Sequence, residues 1–330
     1  MIAPFWPSRQ LNLRQVVHQL YLLLLLGTTA VWLQAPETLL AEGFQGLEPL
    51  GLRYTLLEQQ SPRVLRIHVL EVDLSRQQVQ FRVVTGADPD GLGPAEAELT
   101  LPQRLADQIP GVVAAVNTNA WAAIPTVDDP QPQSVWFPGR PVEILGLAVT
   151  GGRVASAAQP GFANGWITAD RRMKLSAEPP MEPIQEGWAG FSPLIINGQR
   201  IESRQPAIHP RTAIGTDETG QRVWLAVVDG RQPGYSEGLA LDELAELMQS
   251  LGCWEAHNLD GGGSSILLMK RAGEALETIN SPSDRAFNRV TVIRPLPVIL
   301  CIQPRVVGEL PATQTEVPGG SSNCSIEASR

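Results

Sequence analysis

The stretch Asn258-Leu259-Asp260-Gly261-Gly262-Gly263-Ser264-Ser265 constrains this chain more than any other. It sets a carboxylate, three consecutive glycines and two hydroxyls between two apolar runs. Ala256 to Leu259 reads as the end of one strand and Ile266 to Met269 as the next, so the block is a strand-to-strand turn. Its glycines can take backbone angles closed to other residues, which lets several N–H groups converge on one point. A concave run of N–H groups is an anion-binding nest. A carboxylate buried beside it needs a partner. A plain glycine turn, in which Asp260 and the serines bond their own backbone, fits the same pattern.

Other strands end in the same way. Gly111 to Val116 is a continuous apolar run, as in a strand buried on both faces, and it delivers Asn117. Thr212 to Thr216 and Arg222 to Val228 flank the turn Asp217-Glu218-Thr219-Gly220, and the second of them ends on Asp229-Gly230-Arg231. Arg211, preceded by His209, opens the first. The third polar end is Asn258 with Asp260. Sites gather at strand ends, where loops are held by a rigid frame. Leu241, Leu244, Ala245, Met248 and Leu251 recur at the helical period, with Asp242 and Glu243 in the first turn and Gly252 where a C-terminal cap belongs. Val64 to Asp73 and Val79 to Val84 read as a β-hairpin, and Leu101 to Ile109 as a short helix. Strands at Leu145 to Thr150 and Val154 to Ser156 join through Gly151-Gly152, and Asp128 to Pro141 is a Pro-rich loop. The fold class expected is α+β: a mixed, sheet-dominated single catalytic domain over 60–296 with a few flanking helices.

The ends differ from this middle. Arg9 and Arg14 precede the apolar run Leu20 to Leu33, and Glu37 and Glu42 follow it, the charge order of an export signal or short membrane anchor over 1–41. The run is short for a spanning helix, which needs about 20 apolar residues. The expected location is therefore outside the cytoplasm. Residues 297–330 read as a weakly ordered tail. Cys301 and Cys324 flank it and can pair in an oxidising compartment, whereas Cys253 reads as a buried thiol. The net charge of −9 argues against a nucleic-acid surface, which needs clustered Lys and Arg.

Taken together, His209-Pro210-Arg211-Thr212-Ala213-Ile214-Gly215, Val228-Asp229-Gly230-Arg231, the Leu241 to Leu251 helix and Asn258 to Ser265 resemble the phosphodiester glycosidase family in order and spacing, over roughly Pro62 to Pro295. The resemblance implies an extracytoplasmic hydrolase that cleaves a glycosyl phosphodiester, of the α-GlcNAc-1-phosphodiester type, at the anomeric carbon and acts on envelope or exopolysaccharide glycans. It also implies roles. Asp229 and Asp260 would be the catalytic carboxylates. Arg211 and the N–H groups of Gly261, Gly262 and Gly263 would hold phosphate, with Arg231 beside them. Asn117, Asn258, Ser264 and Ser265 would orient sugar hydroxyls and water. The chain departs from the family pattern at Asn117-Thr118-Asn119-Ala120-Trp121, where Asn-Gly-Gly is usual, and at Ala240, where a capping Thr is common. Asn288 and Arg289 resemble the family's closing strand more loosely.

The reaction implies no cofactor, although clustered acids also suit a hard cation such as Ca²⁺. The altered Asn117 to Trp121 segment favours a second reading, a non-catalytic polysaccharide-binding protein using the same pocket. A serine hydrolase using Ser264 or Ser265 with His209 or His257 lacks the Gly-x-Ser-x-Gly elbow. A nucleotide-binding loop would need Lys-Ser or Lys-Thr after the glycines.

Overall fold

Alternation along single strands decides the layering. In the strand Arg222–Val228, Val223, Leu225 and Val227 face one hydrophobic core, while Trp224, Ala226 and Val228 face another. An all-apolar strand therefore means a sheet covered on both sides. The computed structural model describes residues 37–39, 44–91, 93–125, 135–203, 205–271, 275–286 and 290–305. Its site-bearing elements, in chain order, are β1 (Leu65–Asp73), β2 (Val79–Thr85), α1 (Pro102–Ala106), β3 (Ala114–Asn117), β4 (Ser192–Ile196), β5 (Arg211–Thr216), β6 (Arg222–Val228), α2 (Leu241–Ser250), β7 (Glu255–Asn258), β8 (Leu267–Lys270) and β9 (Val298–Pro304).

The large sheet runs in the order Glu37–Leu39, Leu52–Gln59, β1, β6, β5, β7, β4, Gln199–Arg200. A second sheet contains β8, β3, β9 and β2, with Leu276–Thr278 at its edge. The two sheets share the core that holds Leu70, Leu225, Val227, Ile214, Val83, Val116, Leu267 and Leu300. Leu244, Ala245 and Met248 of α2 cover the outer face of the large sheet. Leu105 and Ala106 of α1 cover the outer face of the second, over Val84, Ala115 and Ile299. These elements stack as helix, sheet, sheet and helix, and two further sheets, of five and three strands, add Trp188, Leu175 and Ile144 to the shared core.

Several expectations change here. Strand pairing among the described residues is antiparallel throughout, not mixed. β1 and β2 are not a hairpin. A 3-10 turn at Leu74–Arg76 buries Leu74 and carries the chain from the large sheet to the second, where β2 pairs with β9. The tail starts later than residue 297, because β9 pairs with β3 on one side and β2 on the other. The folded unit is also wider than 60–296, since Leu52–Gln59 pairs with β1 along its whole length. Cys301 is a buried free thiol in β9, and Cys253 is likewise buried and free. Cys324, Asn288, Arg289 and the apolar run Leu20 to Leu33 lie outside the described residues. No described helix is long and apolar enough to cross a membrane.

Candidate active site

Sheet order explains why motifs distant in sequence meet. β5 lies between β6 and β7 and runs opposite to both, so its first residue, Arg211, sits beside the ends of the other two. Arg211 is in register with Val228, and Ala213 with Asn258. A cavity of about 210 Å³ opens at this edge, lined by Phe191, His209, Arg211, Arg231, Asn258, Leu259, Asp260, Gly261, Gly262, Gly263 and Arg294.

Each glycine of the block meets its own steric limit. A Cβ on Gly261 would come within 2.9 Å of the Pro210 carbonyl oxygen. Gly262 has a φ of +63° and packs under Arg231 Nη1. A Cβ on Gly263 would lie 2.3 Å from both Arg294 Nη2 and the Asp284 carboxylate. The glycines therefore let three charged side chains close over bare backbone. They do not form the expected nest. Gly261 N–H donates to Asp260 Oδ1 at 2.9 Å and Gly262 N–H to Pro210 O at 2.9 Å, so two of the three amides are already satisfied within the protein.

Guanidinium groups supply the anion-binding capacity instead. Arg211 is buried, its Nε donating to Leu239 O at 3.0 Å and its Nη2 to Ala207 O at 2.9 Å. Burial and the neighbouring Arg231 both lower its pKa, as expected of a cation held without a carboxylate. Arg231, at φ +57°, extends a guanidinium whose Nη2 lies 3.3 Å from His209 Nδ1. The His209 pKa is lowered by burial and then by Arg231 and Arg211, so its ring accepts from Arg231 in the neutral form. Arg294 grips Asp284 with Nε and Nη2 at 2.9 and 3.2 Å. The lining residues thus include one carboxylate, Asp260, and three guanidiniums, of which Arg294 acts on that carboxylate.

The Asp260 residue keeps partial solvent contact while its carboxyl group is enclosed. Burial pushes its pKa up to about 6, against the lowering pull of Ser264, Arg294 and the Gly261 N–H. Its backbone is fixed from both sides, since Asp260 N–H donates to Thr118 O at 2.9 Å and its carbonyl accepts from Asn117 Nδ2 at 2.6 Å. Asn117 Oδ1 accepts from the Thr212 hydroxyl at 2.9 Å and from Ile266 N–H at 3.1 Å. Asn117 is thus the staple between the two sheets and does not line the cavity. The altered segment after it leaves the cavity open: Asn119 is buried, with Nδ2 donating to Leu145 O and Leu147 O.

Asp229 does not line the cavity either. Its side chain is fully buried behind the strand end, where Oδ1 accepts from Asn280 Nδ2 at 3.1 Å and Ser281 N–H at 2.9 Å. Oδ2 lies 3.2 Å from His68 Nε2 and accepts from the Tyr235 hydroxyl at 3.1 Å. With its proton on Nε2, His68 accepts at Nδ1 from the Tyr54 hydroxyl at 2.7 Å and donates to Asp229. Burial, then Asp229, raises the Tyr54 pKa, consistent with a hydroxyl that stays protonated. Ser264 and Ser265 are buried as well, and Ser264 hydrogen-bonds to Asp260 from below. Asn258 does line the cavity, and its buried Oδ1 has no hydrogen-bond partner among the described residues. No group of three described His, Cys, Asp or Glu side chains is placed to hold a metal ion. Arg294 and Phe191 have no counterpart among the sequence candidates, because the Asp284 pairing that fixes Arg294 is visible only in the fold.

The arginines give the cavity the charge to hold an anion, and a family model places the chain in a family. The model for phosphodiester glycosidases matches residues 110–303, which include every cavity-lining residue, and the chain belongs to that family. Among solved structures the fold is similar to the catalytic domain of zebrafish N-acetylglucosamine-1-phosphodiester α-N-acetylglucosaminidase, auto-inhibited by its pro-peptide. That match has 20% identity and a TM-score of 0.55, and covers 77% of this chain and 82% of the zebrafish chain. A Burkholderia pseudomallei protein matches at 16% identity and TM-score 0.48, covering 76% of each chain. A Synechocystis protein matches at 13% identity and TM-score 0.49, covering 77% of this chain and 62% of its own. No curated protein sequence matches the chain.

Proposed function

We propose that the protein hydrolyses a glycosyl phosphodiester at the anomeric carbon, releasing free sugar and a phosphomonoester. The observation that carries this reading is one protonatable carboxylate, Asp260, lining one open cavity with Arg211 and Arg231, two arginines that have no carboxylate partner among the described residues. The arginines take the phosphate oxygens through charge-assisted hydrogen bonds. Phe191, 42% exposed at the cavity wall, offers an apolar face to the sugar, and Asn258 lines the wall beside it.

A phosphomonoester is a stable leaving group, so the departing oxygen needs no proton. That removes the usual demand for a second carboxylate as general acid. In the step proposed, the C1–O bond breaks with its electron pair going to the phosphate oxygen. Water bonds to C1 and gives its proton to ionised Asp260, whose charge also faces the developing oxocarbenium ion. Asp229 supports the loop that carries Arg231. The positive-then-negative N-terminal charge order favours action outside the cytoplasm, on an envelope or exopolysaccharide phosphodiester.

The test is incubation of the protein with the methyl phosphodiester of α-GlcNAc-1-phosphate, following free GlcNAc by chromatography. Release is the expected result. Tight binding without release would put the non-catalytic polysaccharide-binding reading in its place.

A further inference from the structure

Next to the cavity lies a group of aromatic side chains that the hydrolytic step does not use. The chain leaves the cavity floor at Thr118, whose carbonyl accepts from Asp260 N–H, and reaches Trp121 three residues later. The Arg140 guanidinium carbon sits 5.8 Å from the centre of the Trp121 ring and 5.8 Å from that of Phe137. Trp136 lies under the cavity-lining Arg294 at 5.6 Å. Backbone hydrogen bonds tie the segments together: Gly139 N–H donates to Leu99 O at 2.8 Å, and Thr100 N–H to Leu296 O at 2.9 Å. The path from Asp260 through Trp121, Arg140, Phe137 and Trp136 thus returns to the cavity at Arg294. Phe137 is 51% exposed, although a ring of that size is ordinarily buried.

We infer that Trp121, Phe137 and Trp136 form a glycan platform, continuous with the cavity, that binds the sugar units next to the scissile phosphodiester. The substrate is then an oligomer or polymer and not a single glycosyl phosphodiester, an extension that rests on the function proposed above. Sugar rings present apolar C–H faces that stack on aromatic rings, while their hydroxyls stay in water. Cation–π contacts with Arg140 and Arg294 hold the rings in place before the ligand arrives, which lowers the ordering cost of binding. Continuity with the cavity through Arg294, which packs on Trp136, selects a glycan as occupant, because the units next to the scissile bond are the groups that lie beside the cavity.

The experiment compares the full protein with Phe137→Ala, Trp121→Ala and the double variant. Two probes are used: the methyl phosphodiester of α-GlcNAc-1-phosphate, and a trimer of N-acetylhexosamine units joined through 1-phosphodiesters. Calorimetry reads trimer affinity, and sugar release reads kcat/KM on the methyl probe. Each ring removed is expected to weaken trimer binding about fivefold, with the methyl-probe kcat/KM changed less than about twofold. Equal trimer affinity in parent and variants, equal losses on both probes, or no trimer binding by the parent would overturn the platform. So would ring-dependent binding to phosphatidylglycerol vesicles in place of the trimer. If the double variant fails to fold, Phe137→Ala decides, since its ring is half-exposed. Ring-dependent trimer binding without release from either probe would keep the platform and sink the hydrolase reading. Release without ring dependence would do the reverse.

Discussion

Asp229 and Asp260 look alike in sequence, each an acidic residue just past an apolar strand, and the structure separates them. Asp229 is an acceptor for four groups and faces the interior. Asp229→Asn places an amide N–H₂ against donors, with an expected cost of about 3 kcal/mol, read as a lower denaturant midpoint. Asp260 behaves oppositely. Its folded pKa, about 6, lies above the ordinary carboxylate value, so the neutral form is the one the fold favours. That contribution is present at low pH and is lost as pH rises from the ordinary value through about 6. Activity moves the other way if ionised Asp260 is the base. On that account kcat/KM rises with pH through a limb near 6, and a pH-independent rate from about pH 5 to about pH 7 would refute it.

The glycine block works as an element, and its role was half legible. Three consecutive glycines announce a turn that no other residue can make, but not what packs on it. What lies above Gly263 is the Arg294–Asp284 pair, contributed from a segment without hydrophobic period, so no pattern in the sequence links the two. Gly263→Ala is expected to destabilise the protein by about 2 kcal/mol through the displaced ion pair, and to weaken substrate binding. A melting temperature and KM equal to those of the parent would show that Arg294 can step aside. The strands missed from sequence have a similar cause. Gly187–Gly190 and Ala163–Ile167 carry glycines where apolar residues would mark a strand, because Trp188 fills the space over Gly165. The apolar strands β5, β6 and β7, and the periodic helix α2, were readable because burial imposes their pattern directly.

At the scale of the molecule, the large sheet and the second sheet meet around a core that two smaller sheets also join, and the site sits where Asn117 of the second sheet reaches the large one. Sequence shows the polar end of β3 but not that its side chain crosses between sheets, since that depends on β9 arriving from the far end of the chain. Asn117→Ala strands Thr212 Oγ1, Ile266 N–H and the Asp260 carbonyl together, and is expected to cost about 3 kcal/mol or more. Retention of the parent's denaturant midpoint would show that the staple carries no strength. The account rests most heavily on Asp260 being the reacting carboxylate and Asp229 a structural one. The direct measurement is GlcNAc release from the methyl phosphodiester by the parent, Asp260→Asn and Asp229→Asn, normalised to folded protein at pH 7. A loss of about a thousandfold or more for Asp260→Asn, with a folded Asp229→Asn within about tenfold of the parent, is the predicted result. Parent-like release by Asp260→Asn would contradict it.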